Sequence, residues 1–177
     1  MTRSLVFTFI AADKPGLVER LAQAVRRHGG NWLESRMSQL AGQFAGIVEV
    51  QVSAEQHAEL RAGLLDLAGT GLTIVVAEDT PVNTQPACRQ LRLSIIGNDR
   101  PGIVLEVAGA LARRDINVLE MNTAITSAPM TAEPLFEASA DIAVPQSLDL
   151  DELQHQLDDI ADTLTVDIAL ESGSAPR

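Results

Sequence analysis

The sequence contains no tyrosine, one tryptophan and four phenylalanines, so aromatic packing cannot be its main source of cohesion. Its core must be filled by Val, Ile, Leu and Ala, which gain less per buried side chain than rings do. A single cysteine, Cys88, rules out an intramolecular disulfide, and no zinc-type Cys/His spacing occurs. No apolar run approaches the roughly 20 residues of a membrane span. The apolar stretch ahead of Asp13 is also too short for the core of a secretory signal. A reducing, cytoplasmic setting is the economical expectation, with no membrane partner. Cations are scarce as well: 13 Lys and Arg stand against 24 Asp and Glu, for a net charge of -11. Residues 81–177 carry -9 of it. That balance opposes direct contact with a phosphate backbone, and no basic run or helix-turn-helix pattern offsets it. Any part in gene control is expected to run through another protein.

What the chain does hold is a repeat. Leu5–Glu34 laid over Leu91–Glu120, a shift of 86, gives 12 identities in 30 positions. The shared residues are not only apolar, since Asp13-Lys14-Pro15-Gly16 recurs as Asp99-Arg100-Pro101-Gly102 and Asn31 as Asn117. The chain therefore reads as two copies of one unit. We expect domains at 1–80 and 90–171, a linker at 81–89 (within Thr80–Arg89, which has two prolines and no periodicity), and a frayed tail at 172–177. Each copy is near the lower size limit for a self-sufficient core, so packing on another unit, or on a second chain as a homodimer, would help.

Hydrophobic spacing sets the element order. Leu5–Ile10 reads as a buried strand, and Leu17, Leu21, Ala24 and Val25 then follow a helical period that His28-Gly29-Gly30 ends. Trp32–Leu40 and Phe44–Val52 read as strands around a tight turn at 41–43. Ser53 is a plausible N-cap for a helix through about Ala68, and Leu72–Ala77 a last strand. Copy two repeats the order: strand Leu91–Ile96, helix Ile103–Arg114, strands Asn117–Ile125 and Leu135–Val144, helix Leu150–Thr163 and strand Leu164–Leu170. Acidic Asp149, Asp151 and Glu152 suit the start of that second helix. The main divergence is the central hairpin, where copy two carries a longer loop at 127–134.

Two readings of Asp-Lys/Arg-Pro-Gly stay open. In the first, the Asp simply caps the following helix, with Pro in its first turn. Alternatively, open N–H groups and a partial positive charge at the helix start suit a carboxylate ligand, with Lys14 or Arg100 reinforcing them and Asp13 or Asp99 meeting an ammonium. Asn31 and Asn117 are equally open: ligand contacts offering donor and acceptor, or turn residues tolerating a left-handed backbone. No catalytic constellation is visible. His28, His57 and His155 lie in separate helical segments without a nucleophile beside them, and Cys88 lacks a partner base. Glu34 and Glu120 read as solvent-facing strand residues. No phosphate loop, dinucleotide fingerprint or metal motif occurs, so neither an enzyme nor a cofactor is expected.

A strand, D-[KR]-P-G, an apolar helix and Asn opening the next strand, set in a β-α-β-β-α-β order, resemble the ACT domain, here twice over residues 3–171. The tandem form without a catalytic domain, with SAPMTAEPLFEASADIAVP in copy two, is similar to the family of glycine cleavage system repressors. The resemblance implies an α+β fold of two ferredoxin-like βαββαβ units, each a four-stranded antiparallel sheet with two helices on one face. It also implies an amino-acid-sensing regulator that binds a small amino acid such as glycine and acts through a transcription activator protein. The implied contacts are Asp13, Lys14, Gly16 and Asn31 in copy one, and Asn98, Asp99, Arg100, Gly102 and Asn117 in copy two. Ala11-Ala12 stand where copy two has Gly97-Asn98, which makes copy two the expected binding copy. The alternative is a ligand-independent ACT interaction module or a detached regulatory subunit of an amino-acid enzyme.

Overall fold

The computed structural model describes residues 2–77, 87–128 and 132–172. The chain divides into two compact units, Met1–Asn83 and Thr84–Arg177. The expected linker and tail lie mostly outside the described residues. Cys88 and Arg89, however, belong to a strand and pair with Pro145 and Val144.

In unit one, β1 (Thr2–Ala12), α1 (Leu17–Arg27), β2 (Asn31–Leu40), β3 (Gln43–Ser53), α2 (His57–Asp66) and β4 (Leu72–Val76) follow in order. The antiparallel sheet runs β2-β3-β1-β4. Leu5, Phe7, Phe9 and Ala11 of β1 are buried at alternate positions, facing Leu21 and Val25 of α1 and Leu60 and Leu64 of α2 in one core. β1 is thus buried on one face only, not on both as its apolar run suggests, and Ile10 on the opposite face is 46% exposed. Trp32 packs edge-on against Phe7, ring centres 6.3 Å apart. Ala41 and Gly42 both have positive φ, the two-residue primed turn whose twist matches an antiparallel hairpin. Ser53 ends β3 and accepts from the Gln56 amide at 3.3 Å, so it shapes the turn ahead of α2 and is not that helix's cap.

Unit two repeats this with β5 (Cys88–Asn98), α3 (Ile103–Ala112), β6 (Asn117–Ser127), β7 (Pro134–Pro145), α4 (Leu150–Leu164) and β8 (Val166–Ser172), in the sheet order β6-β7-β5-β8. Leu93, Ile103, Val107, Ile142, Leu153 and Leu157 anchor its separate core. Asp149 caps α4 as its position predicts, accepting from the Asp151 amide at 2.9 Å. Arg114, just past the end of α3, pairs with Glu152 of α4 at 3.1 Å. The repeat extends to irregularities: each second strand breaks register at the same place, between Trp32 and Glu34 and between Val118 and Glu120. The extra residue, Leu33 or Leu119, puts Asn31 with Glu34, and Asn117 with Glu120, on the helix-free face. Both glutamates are exposed there, as their strand position suggests.

Candidate functional site

Each Asp-x-Pro-Gly loop carries the chain from the first strand of its unit into the first helix. The residue that starts the helix is the glycine, Gly16 at φ 90° and Gly102 at φ 105°, a left-handed backbone that an L side chain strains to adopt. Its carbonyl accepts from Arg20 or Glu106 at 3.0 Å. Among the described residues no side chain caps α1 or α3, and neither Asp13 nor Asp99 makes a side-chain hydrogen bond. The capping reading of the aspartate is therefore not what the fold builds: a backbone turn enters the helix, and the carboxylate is left outward. The Asp13 amide instead donates to Gly42 O at 2.9 Å, and the Asp99 amide to Pro134 O at 3.0 Å. In both units the loop is thereby fastened to the central hairpin.

The two loops then differ. In unit one, Asp13, Lys14, Gly16, Leu17, Glu19 and Phe44 line a cavity of about 360 Å³ over the start of α1. In unit two the Arg100 guanidinium reaches across to α4 and donates to Thr163 O at 3.0 Å. A cation against the carbonyl end of a helix is electrostatically favourable, so the contact holds the loop to α4. Asn98 lines a different cavity, about 370 Å³, with Gly97, Thr165 and two carboxylates, Asp162 and Asp167.

Asn31 and Asn117 do not join these loops within a unit. Asn31 pairs with Gln51, which pairs with Ser4, nine residues back along β1 from Asp13. Asn117 stands likewise level with Gln90, nine residues back from Asp99. At about 3.3 Å per strand residue, roughly 30 Å separates each asparagine from its own loop. Nor are they left-handed turn residues, because positive φ falls on Gly29 and Asp115 just before them.

Two of the histidines make contacts within the scaffold. His28 closes α1 and its ring lies over Gly63 of α2, while His155 Nδ1 is 2.8 Å from Asp151 O in its own helix. Arg89 donates to Leu148 O. Among the described residues no group of His, Cys, Asp and Glu could hold a metal ion, and no helix is long and apolar enough to cross a membrane.

A feature missed by sequence reasoning lies on the helix-free face of sheet two. Ser94, Ile96, Asn122, Glu137, Ser139 and Asp167 line a cavity of about 490 Å³ across all four strands. Beside it Arg92 makes a two-pronged pair with Asp141, 2.9 and 3.1 Å. Hydrogen bonding to and attraction by Asp141, with help from Glu120 and Glu171, hold the Arg92 guanidinium protonated above its ordinary range. Only the cross-strand register brings these residues together, and no local motif signals it.

Comparison with known proteins adds identity. The ACT domain family model matches residues 3–77. An unknown protein from Galdieria sulphuraria shares 30% identity over 98% of this chain and 100% of its own, with a TM-score of 0.86. A candidate glycine cleavage system transcriptional repressor is 19% identical, covers 97% of each chain and has a TM-score of 0.71, which shows a shared fold. No curated protein matches. With βαββαβ units, a duplicated D-[KR]-P-G loop and this full-length likeness, the chain belongs to the ACT-domain family and carries two such units in tandem.

Proposed function

We propose that this protein is an amino-acid-sensing regulator without an active site, working through a protein partner, and that unit one is its binding unit. The cavity at Asp13, Lys14 and Gly16 is the observation that carries the reading. It joins the positively polarised start of α1, a cation for a ligand carboxylate and an outward carboxylate for an ammonium, in a volume that admits an amino acid. This reverses the expectation that copy two binds: its loop cation is committed to Thr163 O. That tether favours the ligand-independent reading for unit two, a scaffold or contact module. Cytoplasmic location agrees with the single cysteine and reducing chemistry. The acidic surface supports action on a protein, such as a transcription activator, over direct contact with nucleic acid.

Isothermal titration with the standard amino acids tests the sensing half. Glycine comes first, because the two-unit structural neighbour is a candidate glycine cleavage repressor. One or more amino acids should bind, with affinity falling at least about tenfold in Lys14→Ala and staying unchanged in Arg100→Ala. At 100 times its Kd the ligand should add about 2.7 kcal/mol to stability. Flat titrations across the panel together with unshifted melts would sink the sensing role.

A further inference from the structure

We propose that the helix-free face of the second sheet docks a lysine- or arginine-rich segment of a protein partner. This rests on the reading that the chain acts through a protein, and names the surface it uses. Two rows of cross-strand neighbours floor the cavity there, Asn122-Ser139-Ser94-Ala169 and Ala124-Glu137-Ile96-Asp167. Short Ser, Ala and Asn side chains leave room above the strands, while the carboxylates of Glu137 and Asp167 stand in the second row. The row on the other side of Ser94, Glu120-Asp141-Arg92-Glu171, adds three acids and one cation. The face thus presents five carboxylates against one guanidinium, and Arg92 is already paired with Asp141.

Charge decides the occupant. Nucleic acid and anionic lipid are repelled by such a surface, and a second copy laid face to face would set four net negative charges against four. A basic segment laid on the neutral Ser94 row gains on both sides of it: its long side chains extend over the small-residue floor and reach the carboxylates of the flanking rows. The same face of the first sheet differs in kind. There Ile10, Ile47 and Val75 are 46%, 47% and 60% exposed, and the charged side chains are Glu34, Glu49 and Arg36, two carboxylates against one guanidinium in place of five against one. Docking by charge is therefore a property of unit two.

The test titrates the full chain with a peptide of about twelve alternating lysines and serines at low salt, followed by amide chemical shifts. Shifts should gather on the inner rows of β5–β8, and a lysine-acetylated peptide should not bind. The triple variant Glu120→Gln, Asp167→Asn, Glu171→Gln should weaken binding at least about tenfold. A control removing equal charge from exposed helix positions, Glu106→Gln, Asp158→Asn, Asp159→Asn, should change it less than about threefold. Ser94→Arg, which fills the floor and keeps every carboxylate, should abolish docking even if the triple variant folds poorly. Equal weakening in both triple variants would show net charge alone at work and overturn the proposal. So would no binding, or shifts gathered elsewhere. That last result leaves a partner-acting regulator intact, and amino-acid titration of the Ser94→Arg protein reports separately on the loop of unit one.

Discussion

At the scale of single residues, the loop glycines separate backbone duty from side-chain duty. A Cβ added at Gly16 or Gly102 meets nothing within 4 Å, so substitution is opposed by backbone strain alone. Gly16→Ala and Gly102→Ala should each cost about 1–2 kcal/mol, seen as a lower urea midpoint with unchanged slope. Gly97 is the opposite case, since a Cβ there would stand 2.8 Å from the Val166 backbone and push β8 off β5. The motif was legible in the sequence, but its division of labour was not. Asp and Pro before a helix look like a cap, and only the φ of the glycine shows that the backbone makes the turn unaided.

At the scale of elements, α4 is the one α-helix among the described residues with a side-chain cap, Asp149, backed by Asp151 and Glu152 in its first turn. Asp149→Ala should destabilise unit two by about 1 kcal/mol, whereas Asp149→Ser should retain most of the stability, as thermal melts would show. Element types were largely readable from the repeat and the apolar periods, because each strand and helix buries one face on its own core. Three things were not. Cys88 and Arg89 extend β5 although a proline-containing polar stretch precedes them, since pairing with β7 overrides local composition. Ser53 has a cap's chemistry but sits one turn too early. Which end of the sheet receives Asn31 depends on strand direction, which no local spacing encodes, so loop and asparagine belong to one repeated pattern in sequence yet lie at opposite ends of the sheet.

At the scale of the whole molecule, two separate cores and one tryptophan make the units distinguishable in solution. Trp32 reports on unit one through its packing on Phe7. Leu21 is fully buried in that core, and Leu21→Ala should cost unit one about 2–5 kcal/mol. The fluorescence transition should then fall to lower urea while a later step remains in the helix circular dichroism. Fluorescence and dichroism shifting as one would show instead that the units unfold as a single cooperative body. The charge is as unevenly spread as the site chemistry, with unit two holding both the acidic face and the tethered loop. The unaided glycine turn bears on how such asymmetry arises after duplication. Because folding asks nothing of the side chains at 13–14 or 99–100 in starting a helix, a single codon there can rewrite what a copy recognises while its scaffold stays sound. Lysine against arginine is one such exchange: it separates a loop with an open cavity from one held to its neighbouring helix.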